Sequence, residues 1–326
     1  MVFFQRKPYK ASFSLEYIFE DVRKRLPPIF ESQLLVCKYF SEGFFKRLYN
    51  MFEAAFHQGD VNHVTGDIHY ATFLLRKHKT ILTILDCVFM HEPPSIKRSM
   101  IKLFWLTLPV KRVKYITAIS EATKQDILKH VTCNPDKIKV IPVAISPDYI
   151  FSTKIFNKIK PVLLHVGVAP NKNLSRVIEA VAGLDIQLSI VGKLSEEIKE
   201  KLKKYNIDYT VEYGLSDSQI IEKYRQCDIL VFASTYEGFG MPILEAQATG
   251  RAVLTSNVTS MPEVAGDSAC LVNPFDVQSI REGIIKIIEN DNYRDDLVRK
   301  GLENVKRFDP NLIANMYSDL YFKICS

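Results

Sequence analysis

The second half of the chain alternates short apolar runs with amphipathic stretches. PVLLHVG (161–167) is continuously apolar, as a strand buried on both faces of a parallel sheet must be. NLSRVIEAVAG follows with helical spacing and ends on Gly183. IQLSIVG, YTVEYG, DILVFAS, AVLTS and ACLVN read as further strands. Between them, SEEIKEKLKKY reads as a helix with an acidic start and a basic end, matching its dipole. SDSQIIEKYRQC reads as a helix capped by Ser216, with Gln219 at the third helical position. PILEAQATG reads as a helix closed by Gly250, and two more helices follow ACLVN. This rhythm predicts a doubly wound parallel sheet.

The first half repeats the pattern more loosely. QLLVCKYF, VNHVT, KTILTILD, YITAIS and KVIPV read as strands; IHYATFLLRKH and SEATKQDILKHV read as helices. Pro142, Pro147 and Asp148 mark an exit from the sheet. The expected division is therefore 1–150, 151–308 and a C-terminal helix over 309–326, which packs on its own domain or crosses back to the first. Two such α/β domains would present their strand ends across a cleft, and these sheets bind ligands at their carboxyl ends.

Composition narrows the function classes. There are 326 residues, enough for two cores, and no apolar run long enough to span a bilayer. The N-terminus lacks the cationic-then-apolar order of a secretory signal. Six scattered cysteines form no CxxC, which points to reduced thiols in a cytoplasm; seven histidines form no HExxH. Residues 1–150 carry 22 Lys and Arg against 14 Asp and Glu, whereas 151–326 carry 21 against 23. A basic front half suits an anionic partner or simple surface solubility.

The candidate chemistry lies in STYEGFGMPILEAQATG (234–250), with carboxylates at Glu237 and Glu245. Pro242 suits the first turn of a helix. Gly238 and Gly240 let the preceding loop approach a ligand closely. The N–H groups of Phe239, Gly240 and Met241 at the helix mouth would then suit a phosphate. Carboxylates on either side suit vicinal hydroxyls. An anion site flanked by two diol readers describes a nucleotide sugar; a capping glutamate beside a solvated one is the plainer alternative. A second strand–helix junction, HVGVAPNKNLSRVIEA, supplies Gly167 and Lys172, where a lysine could neutralise a pyrophosphate.

With these pieces in this order, most of the chain resembles the GT-B-fold retaining glycosyltransferases of family 4, the group with many bacterial mannosyltransferases. HVTGDIHY, TILTILDC, ITAISEATKQDI, KIKVIPVAI, HVGVAPNKNL, YEGFGMPILEAQATG and SMPEVAGDSACLVNP carry the resemblance. It implies that Glu237 holds donor-sugar hydroxyls and Glu245 the donor ribose. Gly238 to Met241 would touch sugar and phosphate, Lys172 the pyrophosphate, and Gly214 and Leu215 the base. The arginine usually paired with the lysine is absent; Val168 stands there, with Arg6 and Lys7 as candidates to replace it. In the family's T-x-H-D pattern this chain reads Thr83-Ile84-Leu85-Asp86, so Leu85 replaces the histidine. Asp86 is then the expected acceptor-positioning residue, or merely caps the next loop, and His91 is the candidate replacement imidazole. RKPYKASFS stands where the family has a glycine-rich loop. His63, Asp67 and His69 fall on the acceptor side, where cleft lining competes with core packing for the histidines.

The resemblance further implies hexose transfer from a nucleoside-diphosphate sugar to a hydroxyl of a glycan or lipid-linked acceptor, with retention, in bacterial surface polysaccharide synthesis. Asp86, Glu237 and Lys172 are the expected catalytic residues. No metal and no cofactor are expected, the nucleotide sugar being a substrate, and no nucleic acid. SEGFFKRLYNMFEAAF and IKRSMIKLFWLTLPVKRVK mix basic and aromatic residues. They are read either as amphipathic helices burying their aromatics or as a surface for an anionic bilayer at the inner face of the cytoplasmic membrane. A non-catalytic nucleotide-sugar-binding subunit and a nucleotide-sugar epimerase are the rival readings.

Overall fold

The computed structural model describes residues 1–8, 14–91 and 93–325. The chain forms two compact units, Met1–Ala144 with Pro310–Ser326, and Ile145–Asp309. The division comes a few residues earlier than position 150. Ile145 N already donates to the carbonyl of Phe308, which commits the chain to the second unit. The terminal helix Pro310–Cys325 groups with the first unit.

The first unit is a six-stranded parallel sheet: β1 (Val2–Gln5), β2 (Gln33–Val36), β3 (Asn62–Thr65), β4 (Thr80–Ile84), β5 (Tyr115–Ala118) and β6 (Ile138–Val140). Their order is β2-β1-β3-β4-β5-β6, so the winding reverses between β1 and β3. Every residue of β1, β3 and β4 is buried, including the polar Gln5, Asn62, His63, Thr65, Thr80 and Thr83, so these strands show no alternation of apolar and polar positions. β1 is a four-residue apolar patch, too short for periodicity to mark, yet it pairs with strands on both sides. Phe3, Phe19, Ile81, Ile313, Tyr317 and Tyr321 share one core cluster, which seats the terminal helix against helix Ser14–Arg25.

Two expectations change here. Residues 68–78 do not form one helix but two 3-10 turns, His69–Phe73 and Lys77–Lys79. Local side-chain bonds win over helix propagation: Thr72 Oγ1 donates to the His69 carbonyl, and His69 bonds outward to Trp105. The segment after Ser95 is helical over Ile96–Ile101, widens into a π-helical turn at Lys102–Thr107, and resumes at Leu108–Arg112. Pro109 explains the widening. It has no N–H for the Trp105 carbonyl four residues back, and Leu108 N bonds to Leu103 O, five residues back. His69 Nδ1–H donates to the carbonyl of Trp105 instead.

The second unit is also six parallel strands: β7 (Val162–Val166), β8 (Gln187–Val191), β9 (Tyr209–Glu212), β10 (Ile229–Phe232), β11 (Ala252–Ser256) and β12 (Cys270–Val272). Their order is β12-β11-β10-β7-β8-β9. The chain winds outward from β7 through β8 to β9, then returns to the other side of β7 at β10. Helix Asp217–Gln226 carries the full capping box of Ser216 and Gln219 that its sequence predicts.

Candidate functional site

The adjacent carboxyl ends of β7 and β10 are the switch point of the second sheet, where doubly wound folds bind ligands. Gly167 follows β7 directly, and its φ of +90° is open to glycine. The absent Cβ matters too: one built there would lie 3.1 Å from Lys172 Cγ and Cε, so the lysine stem runs directly over this glycine. Lys172 Nζ then reaches Glu237 Oε1 at 2.7 Å and lies 4.9 Å from the centre of the Phe232 ring.

Glu237 sits in the loop after β10, half-buried. Its N–H donates to Thr259 Oγ1 at 3.3 Å, and Ser260 Oγ donates to the carbonyls of Glu237 and Phe239. Phe239 turns its ring inward against Phe308, at 5.7 Å, so only its backbone is left for a ligand. Gly240 takes φ of +113° and opens helix Met241–Ala248, with Pro242 in the first turn as expected. Met241 and Gly238 are half-buried at this mouth.

Glu245, one turn into the helix, is a different kind of carboxylate. Tyr224 donates its hydroxyl to Glu245 Oε2. Tyr149 packs edge-on to Tyr224 at 5.6 Å and also bonds to Glu245. Burial raises the Glu245 pKa above its ordinary value; the hydroxyls of Tyr224 and Tyr149, and then the Lys172 charge, pull it back. The Lys172 influence ties Glu245 to the same corner as Glu237. Burial, then the Glu245 charge, pushes both phenols up, so they remain hydroxyl donors.

Gly214 and Leu215 follow β9, the edge strand, separated from β7 by β8. Gly214 has φ of +69° and is exposed; Leu215 is half-buried. Val168 packs across Gly192, where an added Cβ would meet its methyl at 2.6 Å. The position of the absent arginine is thus filled by a side chain packed on the second core.

Several residues that position the site escaped sequence reasoning. Asn173, at φ of +64°, is buried and donates to the carbonyls of Ala233 and Pro274. Asn171 Nδ2 donates to the Tyr236 carbonyl, and Thr235 N to the Asn171 carbonyl. Together they lock the two loops side by side. The available signal was the PNKN turn itself, since asparagine tolerates left-handed backbone. Tyr149 and Tyr224 left no signal, because their partner is far away in sequence.

The first-unit candidates divide. Asp86 lies half-buried at the end of β4, where Oδ1 accepts the Val88 N–H at 3.0 Å; it caps its loop and also lines a cavity. Leu85 and Asp67 line the same cavity. Arg6 bonds to both Glu16, at 3.0 Å, and Asp67, at 3.1 Å, while Lys7 lies over the Phe40 ring. Both are engaged inside the first unit. Residues 9–13 of RKPYKASFS lie outside the described residues.

His63 is not a site residue. It is fully buried, bonded to Tyr321 and Thr83, each at 2.8 Å, and burial pushes its pKa down to about 3. Tyr321 belongs to the core that seats the terminal helix, and Thr83 lies on β4. His91 is exposed and bonds to Asp126 Oδ2 at 3.2 Å. It does not line the cavity that holds Asp86. His69 is a loop-fixing residue through Trp105, and burial lowers its pKa. Among the described residues, no group of three or more His, Cys, Asp or Glu side chains could hold a metal ion.

Residues 149–304 match the family described as Glycosyl transferases group 1. The second unit is a glycosyl transferases group 1 domain. The whole chain has the GT-B fold, as comparison with solved structures shows. HepE from Anabaena, solved with UDP and glucose, superposes with a TM-score of 0.80 at 16% identity, over 99% of this chain and 100% of that one. WaaG, a glycosyltransferase involved in lipopolysaccharide biosynthesis, gives 0.73 at 17% identity, over 98% and 99%. Among curated proteins, the serotype-specific mannosyltransferase WbdA of Escherichia coli is 28% identical over 66% of this chain, which covers only 29% of WbdA. The O-antigen chain mannosyltransferase RfbU of Salmonella typhimurium is 28% identical over 76% of this chain and 72% of its own length. A Campylobacter jejuni transferase named for a diphospho-undecaprenol acceptor is 26% identical over 73% of this chain and 68% of its own. No helix among the described residues is long and apolar enough to cross a membrane.

Proposed function

We propose that this protein is a retaining glycosyltransferase. It moves a hexose from a nucleoside-diphosphate sugar to a hydroxyl of a glycan or lipid-linked acceptor in bacterial surface polysaccharide synthesis. The supporting observation is the corner of Lys172, Glu237 and the Gly240 helix mouth at the switch point, with Glu245 one turn further on. Lys172 and the helix mouth suit the diphosphate, Glu237 the hexose hydroxyls, and Glu245 the ribose. HepE binds UDP-glucose, which supports a nucleotide-sugar donor, and the mannosyltransferase relatives make mannose the first sugar to test.

In this reading the bond from the anomeric carbon to the diphosphate oxygen breaks while the acceptor oxygen bonds to the same face. The acceptor proton passes to the departing phosphate oxygen. The protein's part is to stabilise charge on that diphosphate, at about 3–4 kcal/mol for a well-aimed donor. Asp86 is the acceptor-positioning group. The basic and aromatic helices of the first unit would meet an anionic membrane surface that carries the acceptor.

A thermal-shift screen of GDP-mannose, UDP-glucose, UDP-N-acetylglucosamine and dTDP-rhamnose tests the donor, because a ligand of the folded state raises its melting point. A rise with none of them would overturn the reading. Leu85 and Val168 favour a second reading, nucleotide-sugar binding without turnover. Binding with no transfer across varied acceptors would select it, and donor conversion without any acceptor would select an epimerase.

A further inference from the structure

The first unit contains a cavity of about 1110 Å³. One side is helix Phe44–Phe56, the other the widened helical segment of residues 96–107. Its walls include Leu48, Met51, Phe89, Met100, Phe104 and Trp105, and Asp86 faces the same space. A monosaccharide acceptor needs less room and more polar lining. Most polar lining residues here already have protein partners. His69 bonds to the Trp105 carbonyl, Arg47 to the Ser41 carbonyl, Tyr70 to Ser41 and Asn50, and Thr83 to Thr117. What the walls offer a ligand is therefore apolar surface.

Much of that surface faces water. Phe44 is 71% exposed, Ile96 83% and Met100 55%. Leaving such side chains wet forfeits about 25 cal/mol per Å² of apolar area, and contiguous apolar exposure of this kind marks a binding site. The flanking charge says what else the ligand carries. Residues 96–114 hold Lys97, Arg98, Lys102, Lys111, Arg112 and Lys114 and no acidic residue; the lining itself carries Arg47 and Lys97 against Asp67, which pairs with Arg6, and Asp86, so the excess of positive charge lies in the flanking segment. Apolar walls beside an all-basic segment suit a hydrocarbon chain joined to a phosphate.

We propose that this groove holds the hydrocarbon chain of a phosphate-linked lipid that carries the acceptor sugar, bringing that sugar to Asp86. This rests on the transferase reading above. It differs from docking of the outer helix faces on a bilayer: Phe45 and Phe56, 82% and 84% exposed, lie on the same helix but outside the groove lining.

The chain has one tryptophan, Trp105, and it lines the groove beneath the Arg47 guanidinium, 4.6 Å from its ring centre. Its emission therefore reports occupancy. The full chain is titrated with farnesyl phosphate below its aggregation concentration, with farnesol and inorganic phosphate alongside. Saturable change in Trp105 emission is expected with farnesyl phosphate, weaker binding with farnesol, and none with phosphate. Met100→Glu should weaken farnesyl phosphate binding about tenfold or more by setting a carboxylate into the apolar wall. Phe45→Ser should leave it unchanged. No response to farnesyl phosphate, or loss in Phe45→Ser with none in Met100→Glu, overturns the proposal. So does a concentration-dependent change without lipid that tracks dimer mass, which would seat a second copy in the groove. If a nucleotide sugar binds and transfers to a soluble acceptor while Trp105 ignores the lipid, the groove assignment falls and the transferase reading stands. If the lipid binds and no nucleotide sugar does, the transferase reading falls and the lipid site remains.

Discussion

Lys172 Nζ lies 2.7 Å from Glu237 Oε1, joining the loop after β7 to the loop after β10. Both side chains are mostly buried, 22% and 14% exposed, so the pair is positioned and not merely tethered in water. In the proposed reading, a diphosphate bound here would compete with Glu237 for the same ammonium. The two residues consequently have opposite electrostatic effects on an anionic ligand, and their substitutions should separate.

Lys172→Ala should weaken binding of the nucleoside diphosphate and lower turnover by about 10²–10³, the effect of losing one well-aimed donor. Glu237→Ala should also abolish transfer, yet keep or strengthen diphosphate binding, since it removes a negative charge beside the phosphates. Both should melt within about 4 °C of the parent, equivalent to roughly 1 kcal/mol. Calorimetric titration with the free diphosphate, beside a transfer assay, checks this. Full activity in Glu237→Ala would overturn the donor-site assignment.

Tyr224→Phe removes a hydroxyl that favours the charged form of Glu245, whose pKa burial already raises above the usual 4.5. The pKa should therefore climb further. Because a carboxyl group accepts hydroxyls on both oxygens, and with charge assistance, only when ionised, donor affinity falls as pH drops through that pKa. The acid limb of kcat/KM should move to higher pH in the variant, with KM raised and kcat nearly unchanged at pH 8. A pH profile identical to the parent's would mean that Glu245 does not touch the donor.

Most strands of both sheets were legible because parallel strands buried on two faces leave mainly apolar runs, such as ILVF in β10, whereas β1 was too short to mark. The two loops of the candidate site were legible because their residues are close in sequence: Gly167 sits five residues from the lysine that crosses it, and Glu237 and Glu245 flank one helix start. What stayed hidden depends on partners distant in sequence. Nothing near His63 announces Tyr321, and nothing near Glu245 announces Tyr149. The helix expected over 68–78 failed for a related reason. The donor needed by Trp105 is set by Pro109, some forty residues beyond His69.

His63 contributes to the pH dependence of the first unit, in the same direction as His69 and His130, whose pKa values burial also lowers. Its folded pKa, about 3, lies below the unfolded value of 6.5. The unfolded state therefore binds more protons between those values, and stability falls as pH drops through that window, by up to about 1.4 kcal/mol per pH unit. His165, pushed down to about 4 by burial, acts in the same direction in the second unit. His63→Asn should be less stable than the parent at pH 7, having lost the bonds to Tyr321 and Thr83, but should lose less between pH 6.5 and 4.5. Urea midpoints across that range check it, and an unchanged slope would exclude His63 as the titrating group.

The link between His69 and Pro109 is testable as a thermodynamic cycle. Pro109 denies the Trp105 carbonyl its helical donor, and His69 Nδ1–H replaces it. His69→Phe should strand that carbonyl and cost about 1–3 kcal/mol. Pro109→Ala restores an N–H at the right position, at the expense of the packing of a buried ring. With that N–H present, His69→Phe has less to take away. The loss caused by His69→Phe should therefore be smaller in the Pro109→Ala background than in the parent, with a coupling of about 0.5 kcal/mol or more. Urea unfolding of the four proteins measures it. Equal losses in both backgrounds would mean that the histidine does not stand in for the missing backbone donor, and the widened turn beneath Phe104 and Trp105 would need another cause.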